Sequence, residues 1–184
     1  MSRAVASRHH PVLVALHWLV AAMILGLLGI GYFVLASMPN TDPRKLDILV
    51  WHMSGGMAVM ALMIVRVIVR ARSARPGPAA AGAPIFDRLA GLAHLGLYLV
   101  VFSMIVSGWL TGYLISGAFA GQGQTLPARF SDLPTFQVHA ALAVVLTLLI
   151  AVHVAAALFH QFVLRDGLFQ RIGFGRRTVI APGR

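Results

Sequence analysis

Hydrophobic residues run through the chain in four long blocks, which charged residues, prolines and glycines separate. A helix needs about 20 apolar residues to cross the hydrocarbon core of a bilayer, and each block is long enough. The pattern therefore predicts an all-α integral membrane protein, a four-helix bundle in a single membrane domain, residues 1–184. The predicted spans are residues 12–36, 46–69, 89–115 and 134–162, and a basic tail follows over residues 163–184.

The composition supports this class and restricts the chemistry. Hydrophobic residues make up 59% of the chain and charged residues 11%, which is too apolar for a soluble domain. The absence of cysteine excludes disulfides, iron–sulfur clusters and thiolate ligands, so metal binding is left to histidine and methionine. The net charge of +10 is better explained by cytoplasmic flanks beside anionic lipid than by nucleic-acid binding.

Basic residues predict which side of the membrane each loop faces. Of the 15 Lys and Arg residues, all but Arg44, Lys45 and Arg129 fall on the side that holds both termini and the loop between the second and third spans. Cytoplasmic loops are enriched in Lys and Arg, so we predict that both termini are cytoplasmic. On the opposite, outer side three aspartates offset the three cations: Asp42, Asp47 and Asp132.

Four histidines inside the predicted spans sort into two depths. The step from His139 to His153 in the fourth span leaves them ~40° apart around the helix and ~21 Å apart along it. His52, near the outer end of the second span, shares the depth of His139. His17, near the inner end of the first span, matches His153 to within ~6 Å, an offset that helix tilt could absorb. Histidine inside a span is a functional candidate by default, so two bis-histidine haem sites are favoured over histidines that only hydrogen-bond neighbouring helices.

Further polar residues at the inner ends of the spans have two interpretations each. Arg66 and Arg70, in the second span, either pair with haem propionates or anchor the inner leaflet. His94 in the third span and His160 in the fourth either hydrogen-bond a quinone or propionate or meet only a lipid headgroup. Two small residues of the third span have the GxxxG spacing of close helix packing: Gly108 and Gly112.

The four spans carry a set of short motifs: His17-Trp18 in the first span, Trp51-His52 followed by Ser54-Gly55 in the second, Ala93-His94-Leu95 in the third, and His139 with His153 in the fourth. Taken together, these motifs resemble the prokaryotic cytochrome b561 family. The similarity extends from about His10 to Arg177, and the ligand spacing is its most specific part. The resemblance implies a bundle of the bacterial inner membrane with two haems b, on His17 with His153 and on His52 with His139. It also implies electron exchange with ubiquinone and, for some members, oxidation of superoxide at the periplasmic face.

Bis-histidine ligation fills both axial positions of the iron, so such a haem transfers electrons rather than binding substrate. We therefore predict a membrane oxidoreductase between a small periplasmic donor, which the resemblance suggests is superoxide, and the quinone pool. One alternative is a haem b anchor or relay subunit of a hydrogenase or dehydrogenase complex, which would copurify with a soluble partner. Another is a haem-free transporter or structural bundle, against which the scarcity of acids within the spans argues.

Overall fold

The computed structural model describes residues 5–6, 8–76, 84–120, 125–165, 168–173 and 179–180. Four of its helices are long and apolar enough to cross a membrane, which confirms the predicted all-α four-helix architecture. The first to fourth spans are, in order, Pro11–Leu35, Arg44–Arg72, Arg88–Leu114 and Pro134–Leu164. Half of the predicted basic tail, and the part of the loop after the second span over residues 77–83, lie outside the described residues.

Local sequence explains where the spans begin and end. Pro11 and Pro134 occupy the first turns of the α-helices Pro11–Gly29 and Pro134–Phe159, where the missing N–H has no helical partner to lose. Both helices continue as π-helical turns, Ile30–Leu35 and His160–Leu164. The second α-helix is Arg44–Arg72, and the third runs from Pro84 to Leu114, starting ahead of its apolar span. The remaining helical segments are short: Ser116–Phe119, Phe130–Asp132 and Leu168–Ile172.

Three two-residue strands join distant parts of the chain at one end of the bundle. Val5–Ala6 pairs in parallel with Arg75–Pro76 and antiparallel with Val179–Ile180. Segments from near both termini and from the loop after the second span therefore meet at the same end, as four consecutive crossings require. We call this the terminal end, and the opposite end of the bundle the distal end.

A layer of buried apolar side chains closes the middle of the bundle. The third span packs most extensively against the fourth, and the first against the second. Leu146 of the fourth span lies midway in the sequence between His139 and His153, so the layer separates the two histidine depths. Many outward-facing side chains are also apolar, as a lipid-facing surface requires, and Phe33 is 81% exposed. The members of this mid-membrane layer are Val20, Leu28, Val59, Met63, Val101 and Leu146.

Candidate functional site

The structure brings four of the predicted histidines together as two facing pairs. At the terminal end the ring centroids of His17 and His153 are 6.3 Å apart, with the ring planes at 74°. At the distal end the centroids of His52 and His139 are also 6.3 Å apart, with the planes at 76°. The fourth span contributes one ring to each pair, and the first and second spans contribute the partners. The depth offset expected for His17 and His153 does not keep their rings apart.

Both separations fit two imidazoles on opposite sides of one metal ion. A metal–imidazole bond is about 2 Å long and a ring nitrogen lies about 1 Å from its ring centre, so the two centroids would be about 6 Å apart. Within the described residues, no group of three or more His, Cys, Asp or Glu side chains could hold a metal ion by itself. A metal at either pair would need its other ligands from a bound group, and the four nitrogens of a porphyrin meet that need. The two pairs therefore fit haem.

His139 is oriented as a metal-ligating histidine usually is. Its Nδ1 lies 2.9 Å from the backbone carbonyl of Met104, which can only accept a hydrogen bond, so Nδ1 carries the proton. Ser107 Oγ lies 3.3 Å from the same nitrogen and itself donates to the Met104 carbonyl at 2.9 Å. Nε2 then keeps its lone pair for a metal, while the Nδ1–H bond fixes the ring orientation.

His52, the other member of the distal pair, carries a buried ring nitrogen in need of a partner. Its Nδ1 is enclosed by protein and has no hydrogen bond within the described structure. Leaving a buried polar atom unsatisfied is costly, and a bond to a bound group would remove that cost. A cavity of about 730 Å³ lies beside both rings of the pair, and its walls are mostly apolar. Its volume is in the range of pockets that hold cofactors.

Gly108 allows the third span to lie against the His139 ring. A Cβ atom at this position would come within 3.0 Å of Cε1 and 3.1 Å of Nδ1 of His139. The other glycine of the GxxxG pattern, Gly112, faces Met53, so it serves helix packing as predicted. The spacing identified both glycines, but it did not indicate that one of them faces a histidine ring.

Substituting Gly108 with alanine is expected to loosen the distal site. The added methyl group must displace the His139 ring by a few tenths of an ångström, which strains its bond to Met104. Alanine is intrinsically a better helix former than glycine by about 1 kcal/mol. Helix propensity therefore favours the variant and cannot account for a loss of haem. We expect the haem-to-chain ratio of purified Gly108→Ala to fall by up to half, with the missing absorption belonging to the distal haem. Gly96→Ala is the control, because a Cβ there would only touch Leu149 at 4.0 Å. Equal haem content in both variants would contradict this role.

At the terminal end the structure adds a third imidazole to the predicted pair. The His94 ring lies 5.3 Å from that of His153, at 81° to it, and its Nδ1 lies 2.6 Å from the Ala90 carbonyl. Arg66 is also at this end, where it donates to Tyr98 Oη at 3.0 Å and to the Leu13 carbonyl at 3.2 Å. Arg66 is thus held by the first and third spans, and the sequence had not indicated Tyr98 as its partner.

A second cavity opens beside this cluster, between the second and third spans. It has a volume of about 310 Å³ and is lined by Arg70, His94 and Tyr98 together with small and apolar side chains. Several lining residues, such as Leu95, are exposed on the outer face of the bundle. The cavity therefore combines hydrogen-bond donors with access from the lipid side. His160, by contrast, lies in the π-helical turn that ends the fourth span, with its ring 6.5 Å from that of Phe159.

Of the three cations predicted for the distal end, two are in ion pairs with aspartates and the third is buried. Arg44 and Asp42 form an ion pair at 2.8 Å, and the hydrogen bonds from Arg44 hold the pKa of the Asp42 carboxyl below its usual value. Arg129 pairs with Asp132 at 3.5 Å. Lys45 is buried, with only 5% of its surface exposed. The surface at this end therefore offers weak electrostatic guidance to an anion.

Comparisons with known proteins point in the same direction as the geometry. The family model described as prokaryotic cytochrome b561 matches residues 8–175. The chain is similar to "Cytochrome b561 homolog 2" of Escherichia coli strain K12, with 28% identity over 172 residues that cover 90% of each chain. It is also similar to "Probable superoxide oxidase CybB" of Yersinia pestis, with 25% identity over 164 residues, 86% of this chain and 92% of the relative.

Proposed function

Because the chain belongs to the prokaryotic cytochrome b561 family, and so is a haem b electron-transfer protein of the bacterial inner membrane, we propose that it carries electrons from periplasmic superoxide to ubiquinone through two haems b. The observation that carries this proposal is the pair of equal 6.3 Å histidine separations at opposite ends of one bundle. His17 with His153 and His52 with His139 would hold the two groups. We assign the distal end to the periplasm and the terminal end to the cytoplasm.

The bound haems would supply one-electron redox chemistry, and the protein residues determine where electrons enter and leave. His52 and His139 would together hold the distal haem, and a haem held by two histidines would exchange electrons without binding the donor, so an electron would enter at the distal end. Two superoxide ions would each lose one electron and become O₂. One ubiquinone would gain those two electrons and two protons and become ubiquinol.

Two observations support the choice of donor and acceptor. Superoxide is suggested by the name of the Yersinia pestis relative. Ubiquinone is suggested by the 310 Å³ cavity, since a lipid-soluble carrier could reach it from the membrane and its carbonyls could accept hydrogen bonds from Arg70 and Tyr98. His94 lines this cavity and also contacts the His153 ring, which places the cavity directly beside the terminal pair.

The test is a two-stage spectroscopic assay on the purified protein in detergent. Superoxide generated beside the oxidised protein should reduce it within the mixing time, and added ubiquinone should then reoxidise it. His94→Phe should slow the reoxidation stage at least tenfold while leaving the superoxide stage unchanged, because His94 lies at the proposed exit and far from the entry. The lipid-facing Leu92→Phe, 64% exposed on the same span, is the matched control.

Three results would contradict parts of the proposal. Failure of superoxide to reduce the protein, with ready reduction by a copurifying dehydrogenase or hydrogenase, would instead indicate a relay subunit. Reduction by superoxide without reoxidation by ubiquinone would reject the acceptor. Equal reoxidation rates for His94→Phe and Leu92→Phe would reject the 310 Å³ cavity as its site.

A further inference from the structure

Lys45 is a buried lysine at the distal end of the bundle. Only 5% of its surface is exposed, although lysine is rarely buried unless its charge is paired. Its Nζ donates to the Met38 carbonyl at 2.5 Å and lies 5.6 Å from the centre of the Phe130 ring. A carbonyl dipole and the face of an aromatic ring both attract a cation, but neither carries a full negative charge.

No carboxylate of the described structure neutralises this lysine. The ion pairs found there use Asp42 for Arg44 and Asp132 for Arg129. Removing a charge from water without a counter-charge is unfavourable, so a buried cation of this kind indicates a missing anionic partner. The surroundings of Lys45 show where that partner would lie.

Lys45 lines the same 730 Å³ cavity as His52 and His139. It precedes His52 by two helical turns on nearly the same face of the second span, which puts its Cα ~10 Å from that of His52 towards the distal end. A porphyrin held between the two histidines carries two propionates on one edge. The cavity thus contains both the proposed axial ligands and an uncompensated cation displaced towards the membrane surface.

We propose that Lys45 is the buried counter-ion of a propionate of the distal haem, and that its charge raises the reduction potential of that haem. This inference rests on the proposed haem site at His52 and His139. Reduction adds one electron to the site, and a nearby cation in a low-dielectric environment stabilises the added charge. Arg129 also lines the cavity, but its side chain is 76% exposed and pairs with Asp132. Lys45 is buried and has no such partner, so its role differs from that of Arg44 and Arg129, whose charges the solvent screens.

The experiment is a redox titration of the purified full chain, with the haem content measured in parallel. Lys45→Met keeps an unbranched side chain of similar length and removes the charge, whereas Lys45→Arg retains the charge. We expect Lys45→Met to shift the reduction equilibrium of the distal haem at least tenfold towards the oxidised form, which is 59 mV for a one-electron couple. The other haem should be unchanged, and Lys45→Arg should remain close to wild type.

Arg44→Met is the matched control, because the Arg44 side chain is 77% exposed and paired with Asp42. This variant should shift the reduction equilibrium of the distal haem less than twofold. If Lys45→Met loses the distal haem altogether, retention of that haem by Lys45→Arg supports the counter-ion role, and its loss from both variants overturns it. An unchanged distal potential in a Lys45→Met protein that holds both haems also overturns it, and would leave Lys45 as a clamp between Met38 and Phe130. A wild-type protein without a distal haem would instead reject the proposed function itself.

Discussion

Replacing His52 or His139 with alanine is expected to remove one haem and leave the other in place. The wild-type chain should contain two non-covalently bound haems b, measured as the pyridine haemochrome per mole of protein, and each of these variants should contain one. His17→Ala and His153→Ala should likewise contain one, but the opposite one. The mid-membrane apolar layer separates the two pairs, so loss of a ligand at one end should not disturb the other.

The reduced-minus-oxidised spectra of the variants show which of the two haems each variant retains. His52→Ala and His139→Ala should share one residual spectrum, and His17→Ala and His153→Ala another. His94→Ala is the decisive control, because the His94 ring lies closer to that of His153 than the His17 ring does. If His94→Ala removes the terminal haem while His17→Ala retains it, the pairing is wrong. A wild-type ratio near zero would reject both sites.

Introduced cysteines should be labelled from opposite sides of the membrane. The chain has no cysteine of its own, so single substitutions can be read in the full-length protein with a membrane-impermeant maleimide. Thr41→Cys and Ser131→Cys, both exposed at the distal end, should react in intact cells with the outer membrane permeabilised. Ser73→Cys, beside the terminal-end strands, should react only after the inner membrane is opened. Before the inner membrane is opened, we expect full labelling of the two distal-end cysteines and no labelling of the cysteine at position 73.

This result depends on two independent arguments. The pairing of Val5–Ala6 with Arg75–Pro76 and Val179–Ile180 puts those segments on the same side, whichever side it is. The excess of Lys and Arg on that side predicts that it faces the cytoplasm. Labelling of all three cysteines from outside would contradict the fold, whereas a reversed pattern would contradict only the orientation. Reversal would also exchange the entry and exit ends in the proposed electron path.

The depth of the histidines was accessible from the sequence, but their surroundings were not. Hydropathy locates the ends of a span, and the helical rise then gives each residue a depth, so the four spans could be predicted and His52 assigned to the level of His139. Rotation about the helix axis has no comparable signal in the third span, because a helix that is apolar all round does not reveal which face meets protein and which meets lipid. The carbonyl of Met104 and the open face at Gly108 are consequences of that rotation.

Contacts between segments that are distant in the sequence account for the other features that the sequence did not predict. Lys45 follows Pro43 in a polar connection, and its sequence context indicates an exposed cation. Its burial depends on Phe130, which is contributed by the connection between the third and fourth spans. His94 similarly has the sequence context of a residue near a membrane surface. Its contact with His153 depends on the close packing of the third and fourth spans, which no local pattern encodes.

In the proposed electron path, the mid-membrane apolar layer would make electron transfer between the two histidine pairs sensitive to the membrane voltage. No member of the layer is titratable, so it offers no protonatable side chain that could let a proton accompany the electron. The two depths are ~21 Å apart in a hydrocarbon core of about 30 Å, so an electron between them crosses roughly two-thirds of the field. At about 2.3 kcal/mol per charge per 100 mV, inward transfer against an interior-negative potential costs roughly 1.5 kcal/mol per 100 mV. An energised membrane would therefore oppose the oxidation of periplasmic superoxide, and a de-energised membrane would favour it.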